Sequence, residues 1–440
     1  MASDSPINPA NIQKPKGTRD FYPALMAWRN HLVDTWRKVS IRNGFEQVDG
    51  PIFETLDLYK VKSGDGIVSE LFSFCRAGGS TDYAIRPEFT PTLARMVAAQ
   101  ANSLPKPIKW FTTPNLCRAE KHQRGRLREF LQWNVDVLGS DAAIADTETI
   151  FTAIDFLAEM GLRPDQVRVK ISHRQTVRHI LIKLGVPEEK LQDAFGLLDR
   201  RDKLEPAKFT QGAAALGLDD ERVQRFDQIC RMKYRVGDLD ALREQIGIGD
   251  ELTDIETLDQ QLVSFGVADW CEYDLGIVRG LAYYTGAVYE IHEATGVERA
   301  LAGGGRYDNL IELFGGPRTP AVGFGMGDVV LANVLEDKGL LPADVSPTPD
   351  VFIVAVTDAG ATQVPAVTAQ LRRAGLHTRF SYKATRNMGK LMKEAANTKS
   401  NFTIILGDEV NDGVAAVKDM QTQAQEQVAI STIASHIIGG

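Results

Sequence analysis

The stretch from Cys117 to Gly139 constrains the fold of this chain more than any other. It reads CRAEKHQRGRLREFLQWNVDVLG, and its polar tip between two strand-like arms predicts a long β-hairpin. Side chains alternate along a strand, so one face of the second arm is largely apolar, with Glu129, Leu131, Trp133, Val135 and Val137. The other face carries Arg128, Phe130, Gln132, Asn134 and Asp136. We expect the first face to pack on a core and the second to hold a small polar ligand.

Composition limits the classes of protein that fit. The chain has 440 residues, of which 43% are hydrophobic and 25% charged, so we expect a globular protein of two to three domains. No run reaches about 18 apolar residues, and the N-terminus lacks a signal-like core, which predicts a soluble cytoplasmic protein with no membrane association. The four cysteines lie far apart without a CxxC pair, so we expect neither a metal site nor a disulfide.

An apolar pattern at helical spacing follows the segment KGTRDFYP. It predicts a helix ending near Gly44, in which the residues at helical spacing are Leu25, Trp28, Leu32, Trp36 and Val39. The next stretch, FEQVDGPIFET, predicts a strand in which Pro51 suits an edge or a subunit contact. An ordinary amphipathic helix and edge strand explain the same residues equally well.

The loop RPEFT precedes a second predicted helix. A carboxylate and a hydroxyl two residues apart, Glu88 and Thr90, can bind an ammonium group. They can equally cap the helix, and the residues alone favour the cap.

Charged helical sequence fills residues 175–255, which indicates a helical insertion within a mixed core. The core pattern resumes over residues 256–340, where Arg279, Tyr283 and Tyr284 are close together in sequence. A glycine triplet then precedes Arg306 and predicts a turn at which the backbone approaches a ligand.

The segment LPADVSPTPD reads as a linker, and alternating strands and helices predict a small α/β domain over residues 350–440. Eight cations in this domain face Glu394 as their only nearby acidic residue in sequence, which indicates a polyanion-binding face. A solvated basic surface remains the alternative. The cations are Arg372, Arg373, Arg379, Lys383, Arg386, Lys390, Lys393 and Lys399.

Six segments in order make the chain resemble the histidyl-tRNA synthetases, a class II aminoacyl-tRNA synthetase family. They are KGTRDFYP, RPEFT, the hairpin, RGLAYYTG, AGGGRYD and PAVGFGMG. The resemblance implies an α+β fold: an antiparallel catalytic sheet over residues 1–174 and 256–340, a helical insertion at 175–255 and an anticodon-binding α/β domain at 350–440. It also implies a homodimer in which the helix and strand around residues 24–55 meet the partner. The implied reaction activates L-histidine with ATP and Mg²⁺ and transfers it to the 3′ end of tRNA(His).

The resemblance also assigns residues. Arg118 and Arg279 match catalytic arginines on either side of the α-phosphate. Histidine-binding positions match Glu88, Thr90, Arg118, Gln132, Asp136, Arg279, Tyr283 and Tyr284. ATP-binding positions match Arg118, Glu120, Arg126, Phe130 and Arg279. Positions expected to contact tRNA match Lys121, Gln123, Arg386 and Lys390.

The sequence departs from the family pattern at four points. Phe89 stands where glycine is usual, Lys121-His122 replaces Arg-Pro, and Ala282 stands where aspartate is frequent. Val330 replaces the arginine that holds the adenine and γ-phosphate, so either Arg126 or Arg306 takes over or ATP binding weakens. The loss leaves a second interpretation open, a non-catalytic histidine-binding paralogue that serves as regulatory subunit of ATP phosphoribosyltransferase.

Overall fold

The computed structural model describes residues 12–63, 65–201, 204–247, 252–277 and 284–439. The chain divides into two compact units. The first ends at Ala343, and the second runs on from Asp344 and also includes Pro23–Trp28. The division falls inside the proline-rich segment 341–350. Within the described ranges, no helix is both long enough and apolar enough to cross a membrane.

Two sheets lie in the first unit. Their strands, in chain order, are β1 Glu46–Gln47, β2 Phe53–Thr55, β3 Ser73–Cys75, β4 Asp82–Ile85, β5 Ile108–Thr112, β6 Asn115–Cys117, β7 Glu129–Leu138, β8 Val167–His173, β9 Tyr234–Arg235, β10 Cys271–Tyr273, β11 Ala287–Glu293, β12 Ala302–Arg306 and β13 Ala321–Gly327. The large sheet has the order β1-β5-β7-β13-β12-β11-β8-β10-β9, and β6 pairs with β7. Its pairs are antiparallel except β1 with β5 and β8 with β10, which confirms the predicted α+β core.

The predicted hairpin is confirmed. Strand β6 pairs antiparallel with β7, and Leu116 lies opposite Phe130. Beyond the ladder, the backbone N–H of Arg118 donates to the carbonyl of Arg128 at 2.8 Å. The tip closes through a bridge between Gln123 and Arg126.

The apolar face of β7 packs on the core, as its alternation predicts. Trp133 is fully buried, and its ring centroid lies 6.0 Å from Trp36, 5.2 Å from Phe156 and 5.0 Å from Phe324. Its indole Nε1 donates to Oγ of Ser40 at 2.9 Å, so the polar atom is satisfied inside the core. The back of the hairpin is therefore fixed by an aromatic cluster.

Helices pack around the sheet. The predicted first helix is present, with Leu32, Trp36 and Val39 buried and Leu25 exposed. Between β8 and β10 the chain is mainly helical, in keeping with the predicted insertion, although its limits as a domain stay a prediction. Helix α1 spans Pro23–Arg42, and its first six residues, Pro23–Trp28, are grouped with the second unit. The other helices of the first unit are α2 Leu56–Ser63, α3 Thr90–Gln100, α4 Ala143–Glu159, α5 Arg174–Lys183, α6 Leu191–Asp199, α7 Pro206–Ala215, α8 Asp220–Arg231, α9 Leu239–Ile246, α10 Thr253–Ser264, α11 Leu310–Leu313 and α12 Asp328–Asp337.

Two local predictions are wrong. The stretch FEQVDGPIFET forms two short strands in different sheets, because β1 pairs with β5 while β2 joins the small sheet β2-β4-β3. The glycine triplet Gly303–Gly305 is not a turn but lies within strand β12. A Cβ on Gly304 would collide with the backbone of Gly323 and with Phe324, so close strand packing explains the glycine there.

The second unit contains a five-stranded sheet of order β15-β14-β16-β17-β18, which confirms the predicted α/β domain. The sheet mixes parallel pairs on β14 with antiparallel pairs on β17. Its elements are β14 Val351–Ala355, α13 Asp358–Arg373, β15 Thr378–Phe380, α14 Met388–Asn397, β16 Phe402–Leu406, β17 Val414–Asp419, β18 Gln425–Ala429 and α15 Ile433–Gly439.

Candidate active site

A cavity of about 540 Å³ opens on the polar face of the large sheet. Its lining includes the predicted ligand face of β7, so the structure brings together most of the residues that the sequence singles out. These are Glu88, Thr90, Arg118, Arg126, Phe130, Gln132, Asp136 and Tyr284. Arg279 and Tyr283, together with Ala282, lie outside the described residues.

The floor of the cavity is made of glycine. Gly303, Gly323 and Gly325 line it between β7 on one side and β11 on the other. A Cβ on Gly325 would lie 2.8 Å from Cδ of Gln132, and one on Gly323 would collide with the carboxylate of Asp136. The glycines therefore leave room for these two polar side chains and for a ligand lying on the sheet.

Asp136 lies at the buried end of the cavity, with 6% of its surface exposed. The hydroxyl of Tyr307 donates to its Oδ1 at 2.5 Å. Burial raises the pKa of Asp136 to about 7, although the hydrogen bond from Tyr307 works against this rise. Tyr284 also lines this end and is 6% exposed. A carboxylate and phenols here match the donor and acceptor of a neutral imidazole.

Glu88 and Thr90 line the cavity at the start of α3. The helix N-cap is Phe89, without a side-chain capping bond, so the alternative that these two residues cap the helix is not supported. Instead, Oε2 of Glu88 lies 2.5 Å from Nζ of Lys62, whose side chain is 1% exposed. Phe89 is buried with φ −98° and ψ −24°, a conformation open to any residue, so the usual glycine is not required.

Arg118 enters the cavity from the first hairpin arm. Its Nε donates to the carbonyl of Pro87 at 3.0 Å, and its guanidinium carbon lies 5.0 Å from the ring centroid of Phe130. These contacts orient the guanidinium while most of its donors stay available for an anion.

The remaining hairpin residues divide between the cavity and the tip. Arg126 lines the cavity and forms an ion pair with Glu120. Among the described residues, the cavity lining does not include Glu120, Lys121 or Gln123. Lys121 and Gln123 are exposed at the tip.

The structure excludes Arg306 as a substitute for the missing arginine. Arg306 is buried outside the cavity lining, and its Nε lies 3.1 Å from Oδ2 of Asp146. Its Nη1 lies 3.2 Å from Asp308 and also donates to the carbonyl of Ser140 at 3.0 Å. Val330 lines the cavity as an apolar wall. The hypothesis that Arg306 takes over at Val330 is therefore wrong.

Three residues at the site escaped the sequence reasoning. Tyr307 lies within the quoted motif AGGGRYD, so its proximity to a glycine-rich strand was a usable signal. Lys62 and Arg299 have no comparable signal, because only the tertiary fold brings Lys62 to Glu88 and the segment between β11 and β12 to the cavity. Within the described ranges, no group of three or more His, Cys, Asp or Glu side chains is placed to hold a metal ion.

In the second unit, the basic residues are less isolated than the sequence indicates. Arg386 pairs with Asp358 at 3.1 Å, and Lys399 pairs with Asp344 at 2.7 Å, so Glu394 is not their only acidic neighbour. Both pairs are exposed to solvent, and ion pairs of this kind contribute little to stability. Lys390 is exposed on α14. A second cavity of about 480 Å³ is lined by Arg372, Lys383, Arg386, Phe380 and Ser381 among others.

Comparisons with known proteins agree with this geometry. The family model of the histidyl-tRNA synthetases matches residues 17–328, and that of the anticodon binding domain matches residues 350–439. A histidine-tRNA ligase of Opitutus terrae is 37% identical over 95% of this chain and 96% of its own, and one of Halobacterium salinarum is 37% identical over 94% and 95%. The crystal structure of histidyl-tRNA synthetase from Nostoc superposes with a TM-score of 0.79 at 25% identity, covering 98% of this chain and 99% of that one. The chain belongs to the histidyl-tRNA synthetase family.

Proposed function

We propose that this protein is a histidine-tRNA ligase. It activates L-histidine with ATP to histidyl-adenylate and transfers the histidyl group to the 3′ end of tRNA(His). The observation that carries the proposal is the order of side chains along one ribbon: Arg118, Phe130, Gln132 and Asp136 all line a single cavity. Curated relatives bearing this ligase name cover nearly the whole chain.

The buried end of the cavity receives the histidine side chain in this proposal. Neutral imidazole has one donor and one acceptor, so Asp136 accepts from one nitrogen and Tyr284 serves the other, with Tyr283 beside it. Tyr307 orients Asp136. An analogue lacking either nitrogen leaves a buried polar group unpaired, which rejects competitors by about 10⁴-fold.

The α-ammonium of histidine lies between Glu88, Thr90 and Gln132 in the same proposal. All three line the cavity. Lys62 holds one oxygen of Glu88 and leaves the other to accept from the ligand. The substrate carboxylate then points towards Arg118, the cation at the other end of this row of polar groups.

At the phosphate end, a histidine carboxylate oxygen attacks the α-phosphorus of ATP. The new P–O bond forms as the bond between the α-phosphorus and the oxygen bridging to the β-phosphate breaks. The electron pair of the broken bond leaves with pyrophosphate. Arg118 and Arg279 disperse the charge that builds on the α-phosphate, because a fixed guanidinium suits phosphate oxygens. Phe130 stacks on adenine, Glu120 supports it, and Arg126 approaches the outer phosphates.

Mg²⁺ fits the site as a companion of ATP. Mg²⁺ usually keeps water ligands and is held by one or two carboxylates plus substrate phosphates, so a protein cage is not needed. Glu290 on β11 lines the cavity and is the carboxylate we assign to it. When bound, Mg²⁺ neutralises phosphate charge.

The second unit reads tRNA in our proposal. Its family model is described as an anticodon binding domain, and Arg386 and Lys390 are exposed there. Lys121 and Gln123, at the exposed hairpin tip, meet the acceptor end. The adenylate is therefore formed in one unit, and the tRNA is selected with help from the other.

The active form is a homodimer in the cytoplasm in this proposal. Phe53, Phe74 and Tyr83 form an aromatic cluster with ring centroids 5.7 to 5.8 Å apart on the small sheet. Phe53 is 47% exposed and Phe74 43% exposed, with Ile52 exposed beside them. An apolar face of this kind, next to the predicted contact at residues 24–55, suits a partner subunit.

The regulatory-subunit alternative is not favoured. The anticodon binding domain spans residues 350–439, and the curated relatives that cover the chain carry the ligase name. Histidine-dependent exchange of pyrophosphate into ATP tests the choice, since only a synthetase performs it.

A further inference from the structure

Three guanidinium groups converge on the phosphate end of the cavity, which is lined by Arg118, Arg126 and Arg299. Like charges at close range repel, so such a cluster attracts anions. Arg126 already pairs with Glu120. Arg118 is oriented by Pro87 and Phe130. Arg299 differs from both, because the structure gives it no ion pair or hydrogen bond within the described part of the chain.

Arg299 lies in the segment between β11 and β12, and the neighbouring residue anchors that segment. Glu298 is buried, and its Oε1 lies 2.7 Å from Nε of Arg124 on the hairpin. The amide of Asn333 on α12 donates to Glu298 at 3.4 Å. With Glu298 fixed between the hairpin and α12, Arg299 is presented to the cavity.

Arg299 also lies beside the residue that replaces the usual arginine. Both side chains lie close to Gly125 of the hairpin. A Cβ added to Gly125 would lie 3.2 Å from Cγ2 of Val330 and 3.8 Å from Cδ of Arg299. The two side chains therefore approach the same point of the hairpin from different elements. Burial lowers the pKa of Arg299, the neighbouring Arg126 and Arg118 lower it further, and the carboxylate of Glu120 works against this fall.

We infer that Arg299 binds the β- and γ-phosphates of ATP and supplies the cation that Val330 does not. This inference rests on the proposed function, because it names a further ATP ligand of the same cavity. Arg299 holds the outgoing pyrophosphate through bidentate hydrogen bonds, for which a guanidinium is suited. Arg126 acts beside it while paired with Glu120.

The test compares Arg299→Gln with Arg318→Gln in histidine-dependent ATP–pyrophosphate exchange. Arg318 is exposed, does not line the cavity and, as far as the described residues go, also lacks a carboxylate partner, so it controls for loss of one positive charge. We expect Arg299→Gln to raise the KM for ATP by about 10- to 100-fold, the loss of a charge-assisted hydrogen bond, with the KM for histidine within about twofold. Arg299→Lys should recover part of the loss, because lysine keeps the charge without the bidentate fork.

Equal KM values for ATP in Arg299→Gln and Arg318→Gln would overturn the inference. Adding Val330→Arg to Arg299→Gln gives an independent check, since an arginine entering from the neighbouring position should restore ATP binding in part. Calorimetric titration with ATP tests the role of Arg299 independently of the proposed function. A wild-type protein that lacks exchange contradicts the proposed function, and ATP affinity unaffected by Arg299→Gln contradicts the role of Arg299 in either case.

Discussion

Tyr307 and Asp136 form a hydrogen-bonded pair at the closed end of the cavity, with Tyr307 Oη 2.5 Å from Asp136 Oδ1. The two residues come from different strand regions, and both are buried. Because one oxygen of Asp136 is occupied by Tyr307, the other is the one available to a ligand. The hydrogen bond therefore orients the carboxylate, while burial raises the pKa of Asp136 and the bond works against that rise.

Replacing Asp136 should separate the two substrates. We expect Asp136→Ala to raise the KM for histidine about 100-fold while the KM for ATP changes little, because the ligand loses a buried charged acceptor. Steady-state exchange kinetics with each substrate varied measures both values. Equal effects on the two KM values would refute the placement of histidine at Asp136.

The same carboxyl group gives a pH dependence. Its pKa is about 7 in the folded protein against an ordinary 3.8, so the ligand-accepting charged form appears as pH rises through 7. Histidine affinity should rise over this range, and Tyr307→Phe should move the rise to higher pH by removing a bond that lowers the pKa. Asp136→Asn retains only the titration of the ligand and serves as the control.

The stability of the folded protein should change with pH in the opposite direction to histidine affinity. Above pH 4 the unfolded chain releases this proton while the folded protein retains it, so the free energy of unfolding falls as pH rises from about 4 to 7. Asp136→Asn should therefore lose less stability over this range than the wild type, as followed by the midpoint of urea unfolding at each pH.

The glycine floor offers a test by single methyl groups. Gly325→Ala places a Cβ against Gln132, so we expect the KM for histidine to rise about tenfold or more as that side chain is displaced from the cavity. Gly327→Ala, in the same strand and also lining the cavity, meets nothing within 4 Å. It should leave the KM for histidine unchanged. A matching increase in both variants would argue against the assigned position of Gln132.

The exposed aromatic cluster predicts the oligomeric state. Phe74→Glu should convert a dimer into monomers in sedimentation velocity, because a buried charge at an apolar contact is costly. Val263→Glu changes an exposed apolar residue on α10 and should leave the dimer intact. A wild-type protein that sediments as a monomer would contradict the proposed contact.

Charge reversal in the second unit should separate the two half-reactions. We expect Arg386→Glu with Lys390→Glu to lower tRNA charging by about tenfold or more, because each removed phosphate contact weakens binding at physiological salt. In our proposal the adenylate forms in the first unit, so pyrophosphate exchange should persist. Unchanged tRNA charging, measured at the same salt concentration, would favour the alternative that these residues form only a solvated basic surface.

Local periodicity in the sequence predicts part of the candidate site. The two faces of β7 were predicted because alternation along a strand is a local property, and Gln132 and Asp136 line the cavity accordingly. The predicted turn at the glycine triplet is wrong, because glycine permits both tight turns and close strand packing. Only the register of β12 against β13 distinguishes the two uses.

The residues that were missed depend on tertiary pairing. Lys62 reaches Glu88 from a separate helix, and Arg299 reaches the cavity because Glu298 is anchored by the hairpin and by α12. No spacing rule in the sequence connects these positions. The sequence shows that Val330 replaces the usual arginine. The tertiary structure is needed to exclude Arg306 as its substitute and to identify Arg299 as a cation that lines the cavity.

The most direct test of the central claim is histidine-dependent exchange of labelled pyrophosphate into ATP. The wild-type protein should catalyse exchange only when L-histidine is present, and Arg279→Ala should abolish it because, in our proposal, Arg279 stabilises the charge on the α-phosphate. Histidine binding by Arg279→Ala, followed by calorimetry, shows whether that variant remains folded. Normal histidine binding by the wild type with no exchange would contradict the account and favour the regulatory paralogue.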